Sequence, residues 1–135
     1  MALRAVIGAL GLAVVAGCHD NPAATVPDAG PLSDATWEPD AGTPTFTWLY
    51  DNMFHGYCAD RNQPCHNPGA NRGVSMSTRD RAFASLQAYI VPGDAYASDL
   101  FYLVSAGVMP PTNPHPPADL QAALMAWLDA GALDN

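Results

Sequence analysis

The stretch that decides how this chain reads is Cys58 to Asn67, CADRNQPCHN, in which six residues separate two cysteines and a histidine follows the second at once. If the stretch were helical, the two sulfurs would stand roughly 10 Å apart along the axis. Its interior, Asp60-Arg61-Asn62-Gln63-Pro64, instead suits a solvated bulge that brings its ends together. Such a bulge suits a disulfide, whose Cα atoms lie about 5–6 Å apart. It equally suits two thiols and an imidazole turned toward one shared ligand, and the spacing alone leaves both open.

Upstream, the chain begins MALRAVIGALGLAVVAGC. Arg4 supplies a positive start, and Ala5 to Ala16 is an apolar run of signal-peptide length, too short to span a bilayer permanently. It ends in Val15-Ala16-Gly17-Cys18, which resembles the lipobox of bacterial lipoproteins. The resemblance implies a signal peptide at residues 1–17, an acyl chain on Cys18 and a place in the cell envelope, periplasmic or at the outer-membrane surface. An ordinary secretory signal cut near Gly17 is the other reading, and it too carries the protein out of the cytoplasm.

Residues 18–45 read as a tether. From His19 to Thr45 there are five prolines, five acidic residues and no basic one, and Pro-Asp-Ala-Gly occurs twice. With so few large apolar side chains, the segment cannot offset the entropy of ordering. Trp37 is its one large aromatic; it either docks on the domain or stays idle.

The domain proper is expected at 46–135, one modest unit that benefits from a staple or a bound cofactor. The whole chain carries a formal charge of −8, and its basic residues are all arginine. That balance argues against nucleic acid and anionic lipid and for a neutral or basic partner. If Cys18 is acylated, Cys58 and Cys65 remain as a pair in an oxidising compartment, where two free thiols are the least favoured state.

Periodicity predicts an all-α domain. Phe46, Leu49, Tyr50, Met53, Phe54 and Tyr57 form the stripe of a one-sided helix, capped by Thr45 or Thr47. Residues 58–75 read as a long loop. Ser77 is the expected N-cap of a short helix through Phe83 and Leu86, with Asp80 completing a capping box. Val91 to Asp94 is a turn, and Ser98 is the expected cap of a third helix that ends at Gly107. Prolines between Pro110 and Pro117 forbid regular structure, and Leu120, Ala123, Leu124, Trp127 and Leu128 mark one face of a last helix. The first and last helices should pack together.

Cysteine, cysteine and histidine in this order also serve covalent haem attachment, since each thiol can add across a vinyl group while the imidazole reaches the iron. The aromatic first helix, the Cys-His loop, the run GDAYASDLFYLVSAGVMPP and the closing LQAALMAWLDAGA together resemble class I cytochromes c over Phe46 to Asn135, most closely single-domain forms at the surface of Gram-negative bacteria. The resemblance implies a cytochrome c-like fold and a one-electron carrier with haem c. Cys58 and Cys65 would form the thioethers, His66 the proximal ligand and Met109 the distal one, a pair that raises the potential. It also implies a redox partner protein. The six-residue spacing departs from the family's two.

The rival is a haem-less relative closed by a Cys58–Cys65 disulfide, acting as a protein or glycan interaction module. A third reading is a soft copper(I) set of Cys58, Cys65, His66 and Met109; the spacing matches no common zinc pattern. Met76 is a rival sulfur ligand. His55 lies off the apolar stripe and reads as exposed, and His115 reads as a solvated loop residue. Arg72 and Arg79 could face haem propionates, although a solvated arginine is the default. No Ser-His-Asp dyad or triad appears, so no enzyme is expected.

Overall fold

The computed structural model describes residues 36–59, 66, 73–111 and 114–135. Residues 1–35, among them Cys18, lie outside these residues, as do Cys65 and Arg72. The described residues are helical and contain no strand. Helix α1 (Phe46–Leu49) runs into a π-helical segment (Tyr50–Ala59), followed by α2 (Arg79–Leu86), α3 (Asp99–Ser105) and α4 (Ala118–Asp129). Single 3-10 turns occur at Pro39–Ala41 and Gln87–Tyr89. No described helix is long and apolar enough to cross a membrane.

Packing follows the apolar stripes. On α4, Leu120, Ala123, Leu124, Trp127 and Leu128 are all buried, the face that a 3.6-residue period assigns. Phe46 at the start of α1 meets Trp127, with ring centroids 5.3 Å apart, and Phe83 of α2 closes the group at 5.0 Å from Phe46 and 6.5 Å from Trp127. The indole nitrogen of Trp127 donates to the Leu133 carbonyl at 2.9 Å, so this buried polar atom is satisfied. The first and last helices therefore pack as their patterns require.

Arg79 seals the edge of that aromatic group. Its guanidinium lies over Phe46 at 5.1 Å and over Phe83 at 5.9 Å. It donates to the Asn135 carbonyl and the Thr47 hydroxyl and pairs with Asp80 and Asp134. The Phe46 amide also donates to the Asn135 side chain at 2.9 Å. One planar fork thus ties α1, α2 and the 134–135 segment together.

Local capping differs from expectation at two serines. Thr45 caps α1, accepting from the Trp48 amide at 3.0 Å. For α2 the cap is Thr78, extended in backbone and accepting from the Arg81 amide, while the Ser77 hydroxyl pairs with that of Ser75. Ser98 precedes α3 but does not cap it with its side chain. Its hydroxyl is spent within the preceding turn, accepting from the Val91 amide at 2.9 Å and donating to the Asp94 carbonyl at 2.8 Å. Gly107 and Gly131 follow α3 and α4 with φ of +67° and +105°, values that favour glycine. Trp37 packs partly buried against the core, and Pro44 is buried.

Candidate functional site

The winding after α1 sets up the site. An unbroken α-helix would keep Tyr57 on the buried stripe. With i→i+5 pitch, Phe54 and Ala59 are fully buried, Tyr57 is only half-buried, and the next residue, Cys58, turns to a cavity. The stretch of pattern that reads as one regular helix is therefore wound more widely where it approaches the Cys-His loop.

That cavity holds about 280 Å³, near the lower end of the range for ligand sites. Phe54 and Cys58 line it from the π-helical segment, and His66, Val74 and Met76 from the loop. Leu86 and Tyr89 come from the end of α2, and Leu100, Leu103 and Val104 from α3. Val108 and Met109 complete it from the turn beyond. The wall is almost wholly apolar, with a thiol, an imidazole and two thioethers as its soft donors.

His66 is held at two points. Its carbonyl accepts from the Met76 amide at 2.7 Å, and its Nδ1 lies 3.2 Å from the Val74 carbonyl oxygen. Burial pushes its pKa below 6.5, with the Val74 bond opposing this in part. A neutral ring that donates through Nδ1 carries its lone pair on Nε2, the tautomer suited to metal coordination through Nε2. Cys58 stands without a disulfide partner among the described residues, and burial pushes its thiol up to about 12. It is a neutral thiol, not a thiolate.

Met109 is half-buried and its amide donates to the Leu103 carbonyl at 2.8 Å, at the close of a turn that begins with Gly107 donating to Val104. Met76 lines the same cavity and is buried. The two methionines come from different segments: the Met76 amide donates to the His66 carbonyl in the loop, whereas Met109 follows α3. This donor set fits a haem iron, with one imidazole of fixed tautomer, one thioether from a separate element and a thiol at the wall.

Other named residues fall elsewhere. His55 is exposed, with its ring centroid 5.7 Å from that of Tyr50. His115 corrects the expectation of a solvated loop residue: it is half-buried and its ring covers Gly107. The reason is that the proline-flanked segment folds back, with Pro116 buried and its carbonyl accepting from Gln121 at 2.8 Å. Arg79 is committed to Asp134 and Asn135 and does not line the cavity. Among the described residues no three His, Cys, Asp or Glu side chains gather as a metal group; the copper(I) reading needs Cys65, which lies outside them. Sequence reasoning missed Val74 and Tyr89, which sit in irregular segments and a short turn without a periodic signal. Leu100, Leu103 and Val104 are apolar residues of α3, and nothing local in the sequence marks them as a cavity wall.

No protein-family model matches this chain, and no curated protein or solved structure matches it either.

Proposed function

We propose that this protein is a lipid-anchored one-electron carrier of the cell envelope whose helical domain, cytochrome c-like in character, holds haem c. Cys58 and Cys65 would anchor the haem, with His66 and Met109 as its axial ligands. The observation that carries this reading is that Cys58 and His66 line one apolar cavity together with Met109, which lies 43 residues further along the chain. When bound, haem supplies a metal that cycles between two oxidation states by one electron.

The chain's own residues supply the rest. The Val74 carbonyl orients the His66 ring and keeps Nε2 free to coordinate. Met109 offers a soft thioether, which favours the reduced state and raises the potential. Leu100, Leu103, Val104 and Phe54 would shield a bound group from water and so favour its less charged form. Met109 would be the sulfur ligand rather than Met76, because it matches the residue order of the resembled family, and it comes from the turn beyond α3 while Met76 lies in the loop that carries His66. Anchoring is assigned to Cys18, and the formal charge of −8 favours a neutral or basic redox protein as partner.

The test is export alongside haem-maturation machinery, followed by an absorption spectrum. A Soret band that survives acid-acetone extraction is expected, with Met109→Ala losing low-spin character and potential. The six-residue spacing favours the second reading, an interaction module closed by a Cys58–Cys65 disulfide. A colourless product lighter than its reduced form by two hydrogens would establish that reading and end the first.

A further inference from the structure

His115 is the histidine that the site above does not use, and its surroundings are specific. A Cβ placed on Gly107 would lie 3.6 Å from Cε1, 3.8 Å from Nε2 and 3.9 Å from Nδ1 of His115. A Cβ there would make ordinary van der Waals contact with all three ring atoms, so the imidazole faces the open side of the glycine. Its Nδ1 is buried and has no hydrogen-bond partner among the described residues. Packing, rather than hydrogen bonding through that nitrogen, holds the ring.

Both sides of this contact are anchored. On one side, Pro116 is buried, its carbonyl accepts from Gln121 Nε2 at 2.8 Å, and the Pro117 carbonyl accepts from the Gln121 amide at 3.1 Å. His115 therefore lies just ahead of the fixed start of α4. On the other side, Gly107 bonds to Val104 at 3.1 Å and Met109 to Leu103 at 2.8 Å, which makes residues 107–109 a tight turn on the end of α3. Gly107 has φ of +67°, a left-handed backbone conformation that favours glycine, at the point that the ring faces.

We infer that His115 is a positioning residue for Met109: its ring braces the Gly107 turn against α4 and so fixes the Met109 side chain at the cavity. The contact stands on packing alone, and its meaning for a metal rests on the proposed function. The first test is amide hydrogen exchange in the haem-free full chain. In His115→Ala the Met109 amide should exchange about tenfold faster, while the Ala130 amide, bonded within α4, keeps its wild-type rate. His115→Phe keeps a flat ring and should restore protection at Met109. Unchanged exchange at Met109 in the alanine variant overturns the brace. A phenylalanine variant as fast as alanine also overturns it, since the nitrogens would then be required.

The second test uses haem-loaded protein. In His115→Ala, added imidazole should displace the Met109 sulfur at about one-tenth of the wild-type concentration, and in His115→Phe at the wild-type concentration. An equal displacement concentration in all three proteins would also defeat the inference. A wild-type chain that takes up no haem, yet shows the expected exchange pattern, removes the haem reading and leaves the brace standing.

Discussion

The Nδ1 of His66 and the carbonyl oxygen of Val74 lie 3.2 Å apart, and a carbonyl can only accept. The ring must therefore carry its proton on Nδ1, whatever occupies the cavity. Eight residues of chain separate the two groups, and the Met76 amide bonds back to the His66 carbonyl, so the loop returns on itself to fix one imidazole. Burial, which outweighs the Val74 bond, disfavours a second proton on the ring.

A pH dependence follows for the haem-free protein. His66 titrates below 6.5 when folded, because burial opposes the charged ring. Between its folded value and 6.5 the unfolded chain binds more protons than the folded one, so unfolding free energy rises with pH across that window and levels off above it. Denaturant midpoints between about pH 5 and pH 8 should fall on the acid side, and His66→Leu should flatten that slope. Equal slopes in the two proteins would mean that the ring is not desolvated.

Cys58 should be slow to react in the folded, reduced, haem-free protein. With its thiol pushed up to about 12, the thiolate fraction at pH 8 is about one in ten thousand, against about a tenth for the ordinary value of 9.0. Alkylation by iodoacetamide, followed by peptide mapping, should therefore be about a thousandfold slower at Cys58 in buffer than in denaturant. Comparable rates in the two media would show a thiol that solvent reaches freely.

What the sequence made legible divides along physical lines. The buried face of α4 and the glycines after α3 and α4 follow from local periodicity and backbone freedom, both written in adjacent residues. The capping serines misled because Ser77 and Ser98 each had a nearer competitor for the hydroxyl, Ser75 in one case and the 91–94 turn in the other. The π winding from Tyr50 was hidden, since apolar residues at i, i+3 and i+4 satisfy an α-helical stripe until the register slips at Tyr57. Cys58, His66 and Met109 could be named from residue order, and the cavity in which they meet could not. Its walls come from five separate segments, and only the tertiary structure brings these together.

Arg79 should matter through its shape as much as its charge. Its exposed ion pairs are worth little by themselves, but the guanidinium also covers Phe46 and Phe83 and donates to the Asn135 carbonyl and the Thr47 hydroxyl. Arg79→Ala should cost about 1–2 kcal/mol, and Arg79→Lys should recover less than half of it, because an ammonium cannot span both oxygens while lying over the rings. Urea denaturation of the three proteins measures this. A lysine variant equal to wild type would reduce the role of Arg79 to simple charge.

The cavity's α3 wall should depend on one hydroxyl remote from it. Ser98 is 1% exposed, accepts from the Val91 amide, donates to the Asp94 carbonyl, and sits immediately before Asp99 and Leu100. The turn it closes is also tied to α4, through Gly93 to the Leu128 carbonyl and Ala95 to the Asp129 carboxylate. Ser98→Ala would strand the Val91 amide and the hydroxyl's carbonyl partner, a loss of about 1–3 kcal/mol. Ser98→Cys, of closer size and weak donor strength, should cost less than alanine. Thermal melts should rank serine above cysteine and cysteine above alanine, and an alanine variant that melts with the wild type would show that the turn closes without the hydroxyl.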